Sequence, residues 1–162
     1  MPPTPGTAAE LQALLGHDFP LSAHLGARVS VADSRQVTLR APLAPNRNRS
    51  GTAFAGSLNA LATLAGWSWV WLRLREERLL AESVLQDSSI HYDRPVATDF
   101  EATCDPPPAA ALERFLAALR RRGRARLRLE VRLTDAAGQA ASFTGRYVAT
   151  TPPHMAERRR VE

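Results

Sequence analysis

Hydrophobic and polar positions change period several times along this chain, and each change marks a new element. Met1 to Thr7 is rich in Pro and Gly and carries no period, so a disordered N-terminus is expected over residues 1–9. Leu11, Leu14 and Leu15 then share one face of a short helix over Glu10 to Leu15, with Gly16 as its stop. From Ala27 to Leu43 the pattern alternates: Val29 and Val31, a polar break at Ala32-Asp33-Ser34, then Val37, Leu39 and Ala41. Two half-buried strands joined by a hairpin turn are predicted. Pro42 to Gly51 is a loop by composition.

Ala53 to Leu72 contains no charged residue and is bracketed by Arg49 and Arg73. Its length would permit a membrane span. Gly56, Ser57, Asn59, Thr63, Gly66 and Ser68 dilute it, however, and no other stretch resembles it, so no membrane association is expected. A helix apolar nearly all round must instead be enclosed by the rest of the domain. Ser50 or Thr52 is the expected N-cap. Trp67 and Trp71 fall on one face and Trp69 on another, which suits enclosure, and the helix is expected to continue to Arg78.

Strands are predicted over Val84 to Tyr92 and Asp99 to Cys104, then a helix over Ala109 to Arg122 closed by Gly123. Arg124 to Thr134 alternates apolar with mostly arginine positions, and Asp135-Ala136-Ala137-Gly138 turns it into a returning strand over Gln139 to Thr150. Residues 151–162 read as a disordered tail. The order predicts one α+β domain over residues 10–150, an antiparallel sheet of about six strands wrapped around a central apolar helix.

At 162 residues, 44% hydrophobic and 23% charged, the chain has the size and composition of one globular core. The single Cys104 excludes a disulfide framework and a thiolate metal site. The four histidines show no i, i+4 pair. All 21 basic residues are arginine, which excludes lysine Schiff-base and P-loop chemistry. No metal and no cofactor are expected. A net charge of +5 points to an anionic partner without naming it. The stripe Arg120, Arg121, Arg122, Arg124, Arg126 and Arg128 reads as a solvated face or as a contact for coenzyme A phosphates or an acidic carrier protein. No nucleic-acid motif accompanies it. The first residues lack a basic segment followed by an apolar one, so a cytoplasmic location is expected.

Candidate chemistry concentrates where the loop meets the uncharged helix. A helix N-terminus offers unpaired N–H groups and a partial positive charge, which can hold a developing oxyanion. Ala55, Gly56 and Ser57 are small enough for close approach of a carbonyl oxygen. Asn48 could donate to that oxygen or orient a water. The alternative reading makes Asn46 and Asn48 turn residues, Thr52 a cap and Gly56 a packing device.

Asn48-x-x-Gly51-Thr52-x-Phe54-x-Gly56-Ser57-Leu58, continuing Leu61-Ala62-Thr63-Leu64-Ala65-Gly66-Trp67, resembles the thioesterase domain at the C-terminus of YiiD-type proteins, a hotdog-fold family. Ile90-x-Tyr92-x-Arg94-Pro95-Val96 and Asp99-Phe100 extend the likeness. The resemblance implies a hotdog fold and a homodimer acting on acyl-CoA or acyl carrier protein. By position, Asn48 falls on the amide residue of related thioesterases, Phe54 on their His, and Ala55 and Gly56 on their Gly pair. The implied catalytic set is Asn48, Ala55, Gly56 and Thr63. Asn46, Gly51, Thr52, Phe54, Ser57 and His91 form the implied substrate-binding surround. Thr63 stands where those enzymes carry a carboxylate, so a base such as Asp87 or His91 would have to come from the strand across the cleft. The alternative is a non-catalytic acyl-binding module that kept the fold without the carboxylate.

Overall fold

The computed structural model describes residues 7–33 and 35–152. Helices α1 (Thr7–Asp18) and α2 (Pro20–Leu25) precede the hairpin of β1 (Arg28–Ala32) and β2 (Val37–Ala41). A 3-10 turn, Ala44–Asn46, leads to the long helix α3 (Ala55–Glu76). Then come β3 (Glu82–Tyr92), β4 (Phe100–Cys104), α4 (Ala109–Arg122), β5 (Arg124–Asp135) and β6 (Gly138–Thr150). The six strands form one antiparallel sheet in the order β1-β2-β4-β5-β6-β3.

Alternation along the strands decides which face meets α3. On β5, Ala125, Leu127, Leu129, Val131 and Leu133 are buried, while Arg126, Arg128, Glu130 and Arg132 between them face outward. The inner face closes on α3, where Leu58, Leu61, Ala62, Leu64, Ala65, Trp69, Val70, Leu72 and Leu74 are buried. Apolar residues all round α3 are thus satisfied by a sheet that curls about it, the hotdog arrangement. One stripe of α3 stays half-exposed, and it carries Asn59, Thr63, Trp67 and Trp71. Among the described residues no helix is long and apolar enough to cross a membrane.

Several boundaries differ from expectation. Helix α1 starts at Thr7, so Thr7 to Ala9 are ordered, and it passes through Gly16 to Asp18. The further helix α2 was not foreseen, although Pro20 at its first turn and Gly26 in the left-handed conformation (φ 67°) are its ordinary signals. Neither Ser50 nor Thr52 caps α3. Its N-cap is Phe54, without a side-chain cap bond. At the other end Glu77 closes the helix and Arg78 turns left-handed (φ 53°), so the chain leaves before Arg78. The remaining residues expected to be disordered, 1–6 and 153–162, lie outside the described ones. Thr151, placed at the start of the tail, is bonded to the fold through its N–H to the Gly123 carbonyl (2.8 Å).

Candidate functional site

The loop before α3 is built by two asparagines. Asn46 is 3% exposed and its amide donates to the carbonyls of Leu25 (2.9 Å) and Pro42 (2.7 Å). Its own carbonyl accepts from Phe54 N–H at 2.7 Å. Asn48 organises the next turn. Its Oδ1 accepts from Ser50 N–H (2.9 Å) and Thr52 N–H (3.2 Å), and its Nδ2 donates to Thr52 Oγ1 (2.9 Å) and Ala53 O (3.4 Å). Gly51 takes a left-handed φ of 83° in this turn, which a side chain would resist. Ala53 N–H then donates to the Val96 carbonyl at 2.8 Å, pinning the loop to the β3–β4 connection.

This loop delivers α3 with two free donors. Ser57 and Leu58 N–H donate back to the Phe54 carbonyl (2.9 and 3.2 Å). The N–H groups of Ala55 and Gly56 have no partner among the described residues, and both residues are exposed. A Cβ at Gly56 would lie 2.3 Å from Phe54 Cε1, so a side chain there would push the exposed Phe54 ring aside. Tyr92 Oη, at the end of β3, donates to the Ala55 carbonyl at 3.0 Å and holds the helix start against the sheet edge.

From Gly56 a groove of about 1080 Å³ runs down the half-exposed stripe of α3. At roughly 1.5 Å per residue, the stretch from Gly56 to Trp71 is about 22 Å long. Its upper part is polar but uncharged: Asn59, Thr63 and Ser88. Its lower part is mostly apolar, with Leu14, Phe19, Leu21, Trp67, Trp71 and Leu85. Trp67 is fixed by its indole N–H on the Ser83 carbonyl (3.0 Å) and by an edge-on Phe19 ring at 4.6 Å. Tyr147 closes the floor, donating its hydroxyl to the Thr63 carbonyl at 2.8 Å. Burial pushes that phenol well above its usual pKa, so it stays a neutral donor.

The expected residues are thus divided. Gly56 and Thr63 line the groove, Ala55 stands at its head, and Phe54 is exposed beside it. Ser57 follows in the first turn of α3 but is absent from the groove wall. Asn48, Gly51 and Thr52 shape the loop behind the free amides. Asn46 is turned inward, away from the groove.

The two base candidates do not face it either. A β-bulge between Leu85 and Asp87 changes the phase of β3, so Leu85, Ser88, Ile90 and Tyr92 look inward. Asp87 instead pairs with Arg146 on the outer face, and His91, largely exposed, lies 3.3 Å from Asp93. Two carboxylates do reach the groove, Asp18 and Glu82. They neighbour Phe19 and Ser83, both in contact with Trp67, so they lie about 16 Å of helix below Gly56. Sequence reasoning missed Asn59, Ser88 and Tyr147. Asn59 could have been found from its i+3 spacing after Gly56, whereas Ser88 depends on the bulge.

The family model described as "Putative thioesterase (yiiD_Cterm)" matches residues 8–151. A protein of unknown function from Chlorobaculum tepidum is 29% identical, with 89% of this chain and 94% of that one covered at a TM-score of 0.85. A "putative thioesterase" from Shewanella oneidensis is also 29% identical, covering 92% of this chain and 100% of that one, at a TM-score of 0.78. A thioesterase from Haemophilus influenzae, 16% identical with coverage of 89% and 90%, shares the fold at a TM-score of 0.71. The curled sheet, the enclosed α3 and these likenesses agree, and the chain belongs to the YiiD_C family of thioesterase-like domains with a hotdog fold.

Proposed function

We propose that this chain hydrolyses an acyl thioester, carried in the cytoplasm by coenzyme A or by an acyl carrier protein. The carbonyl lies at the start of α3 and the acyl chain runs down the groove toward Trp67 and Trp71. The observation that carries this reading is the pair of unpartnered Ala55 and Gly56 N–H groups at the head of a groove that is polar beside them and mostly apolar further down. Hydrolysis adds a water oxygen to the carbonyl carbon, breaks the C–S bond and releases a carboxylic acid and a thiol. Two amides aimed at the oxygen that becomes negative stabilise that step, and the loss of one such donor typically costs about a hundredfold or more. Asn48 acts as a positioning residue by holding the loop that presents these amides, with Gly51 and Thr52 as parts of the same turn. Asn59, Thr63 and Ser88 are the groups able to hold the water, and none of them is a base. Phe54 and Ser57 border the carbonyl.

Among the described residues β3 is an edge strand with Val84 55% exposed. Pairing of β3 with a second copy would satisfy that edge and cover the groove. His91 enters the substrate-binding set through that homodimer, because it stands on the edge strand and not in the groove of its own chain.

A second reading is favoured by one observation: no carboxylate stands at the groove head among the described residues. On that reading the protein binds acyl thioesters without cleaving them. A panel of acyl-CoA esters with a free-thiol readout separates the two. Hydrolysis predicts thiol release by the wild type and a kcat/KM at least about tenfold lower in Asn48→Ala. Binding of acyl-CoA with no thiol release from any ester leaves only the non-catalytic module.

A further inference from the structure

One of the two free donors at the start of α3 shares its peptide group with a hydrogen bond from the sheet. The Gly56 N–H has no partner among the described residues, and the carbonyl of the same peptide is that of Ala55. Tyr92 Oη donates to this carbonyl at 3.0 Å. In an α-helix that oxygen already accepts the N–H four residues on, so the hydroxyl uses its second lone pair. A peptide group is nearly planar, and a bond that fixes its oxygen also fixes the direction of its N–H. A carbonyl that accepts a hydrogen bond draws electron density from its nitrogen and makes the N–H a stronger donor, by roughly 10–30% per bond. The other free donor, Ala55 N–H, is built alike. Its peptide carbonyl, that of Phe54, accepts from Ser57 and Leu58 N–H at 2.9 and 3.2 Å. Those two bonds are backbone, whereas the extra bond on the Gly56 peptide comes from a side chain that β3 delivers.

The sheet holds Tyr92 firmly. It closes β3 opposite Ala141 of β6, and the next two N–H groups, of Asp93 and Arg94, both donate to the Ala140 carbonyl (2.9 and 3.3 Å). The Arg94 side chain is fixed in turn on both carboxylate oxygens of Asp135. Partial burial raises the Tyr92 phenol above its ordinary pKa, so it stays a neutral donor. We infer that Tyr92 is a positioning residue of the thioester site: acting through the Ala55 carbonyl, its hydroxyl aims the Gly56 N–H at the substrate oxygen and strengthens it as a donor. The inference rests on the reading that a thioester carbonyl lies at the start of α3. No bond to Tyr92 forms or breaks, and the phenol passes no proton to the substrate. A stronger donor gains most as negative charge builds on the oxygen, so the effect falls on kcat more than on KM.

The test compares the full wild-type chain with Tyr92→Phe, which keeps the ring and removes only the hydroxyl. With acyl-CoA esters and a free-thiol readout, kcat should fall about tenfold while KM changes less than about twofold. Infrared difference spectra read the same interaction without turnover. The ligand is a decanoyl-coenzyme A analogue with a methylene in place of the thioester sulfur and an isotope-labelled ketone. Its carbonyl stretch should move to lower frequency on binding the wild type, and move less on binding Tyr92→Phe. A ring-fluorinated tyrosine at position 92, a more acidic phenol and a stronger donor, should restore the full displacement. Equal displacement in wild type and Tyr92→Phe overturns the inference, because a rate lost without it marks a merely structural hydroxyl. So does an equal kcat in two proteins that both release thiol. The underlying reading fails in a different way. No thiol release, with the displacement still reduced in Tyr92→Phe, removes hydrolysis and keeps Tyr92 in its role, whereas no binding of the analogue to the wild type removes both.

Discussion

Gly66 is a residue whose lack of a side chain sets up the site from inside the helix. A Cβ at this position would sit 2.3 Å from Tyr147 Oη and 2.7 Å from Cζ, and the ring is enclosed on all sides. Tyr147 reaches the Thr63 carbonyl because Gly66 makes room for it. Gly66→Ala should therefore destabilise the fold by about 1–3 kcal/mol despite its better helix propensity, read as a lower Tm. Tyr147→Phe keeps the ring and loses one buried hydrogen bond, so a smaller cost of about 1 kcal/mol is expected. Equal Tm values for Gly66→Ala and wild type would contradict the packing argument. Thr63 itself makes a chemical test. Thr63→Asp places a carboxylate between Asn59 and Trp67 on the groove wall, where it could act as a base on the water. Thiol release should rise at least about tenfold, with a rate that now falls on the acid side as the carboxylate is protonated. An unchanged rate and a flat pH profile would show that chemistry does not occur at this wall.

At the scale of elements, the corner between β3 and β4 is fastened to the β5–β6 turn by one ion pair. Arg94 meets Asp135 through both carboxylate oxygens (3.0 and 2.5 Å), and the Asp135 side chain is only 3% exposed. The Arg94 hydrogen bond is the main cause that lowers the Asp135 carboxyl from 3.8 to about 2, with backbone N–H bonds from Ala137 and Ala97 assisting against burial. A depressed carboxyl stabilises the fold fully above its unfolded value, and that contribution disappears as pH falls from about 4 to about 2. About 2 kcal/mol is at stake, so urea unfolding should show an acid-side loss in this window. Arg94→Met should be less stable at pH 7 and show much less of that loss, and an unchanged acid slope would count against the assignment. The elements themselves were largely legible, because periods of two and of about 3.6 are written into β5, β6 and α4 side by side. Legibility failed where geometry overrides pattern. The bulge in β3 reverses which residues face α3, and nothing in Val84 to Tyr92 announces it, so the strand's alternation alone left Asp87 and His91 open as bases across the cleft. The cap of α3 failed for a related reason, since Thr52 is spent on Asn48 and not on the helix. Asn46 and Asn48 stood out in the sequence as polar residues of the loop, but the direction of each amide depends on partners at Leu25, Pro42 and Thr52.

For the whole molecule, the exposed large apolar side chains mark where a partner could sit. Leu21, Phe54, Leu80, Val84 and Tyr92 are 56, 56, 78, 55 and 40% exposed, and they belong to α2, the start of α3, the connection from α3 to β3, and the edge strand β3 itself. Leu21 and Val84 also line the apolar groove. The opposite end of the sheet, β1, has its exposed side chains in Arg28 and Ser30. An edge strand of 11 residues that also presents apolar side chains is a template for pairing. Under two-fold symmetry, whatever one β3 presents meets itself, so every substitution acts twice across the contact. Val84→Glu should then separate the copies, since it sets two carboxylates into one apolar junction. Because Val84 is already more than half exposed, the isolated fold should tolerate the change. Sedimentation should give the mass of two chains for the wild type and of one for Val84→Glu, with matching circular dichroism. The separated chain should also lose affinity for long acyl thioesters, because the groove beside β3 would be open to water along its length. A wild-type chain that sediments alone, or a variant that stays paired, would move the interface away from β3 and leave the groove closed by nothing but its own walls.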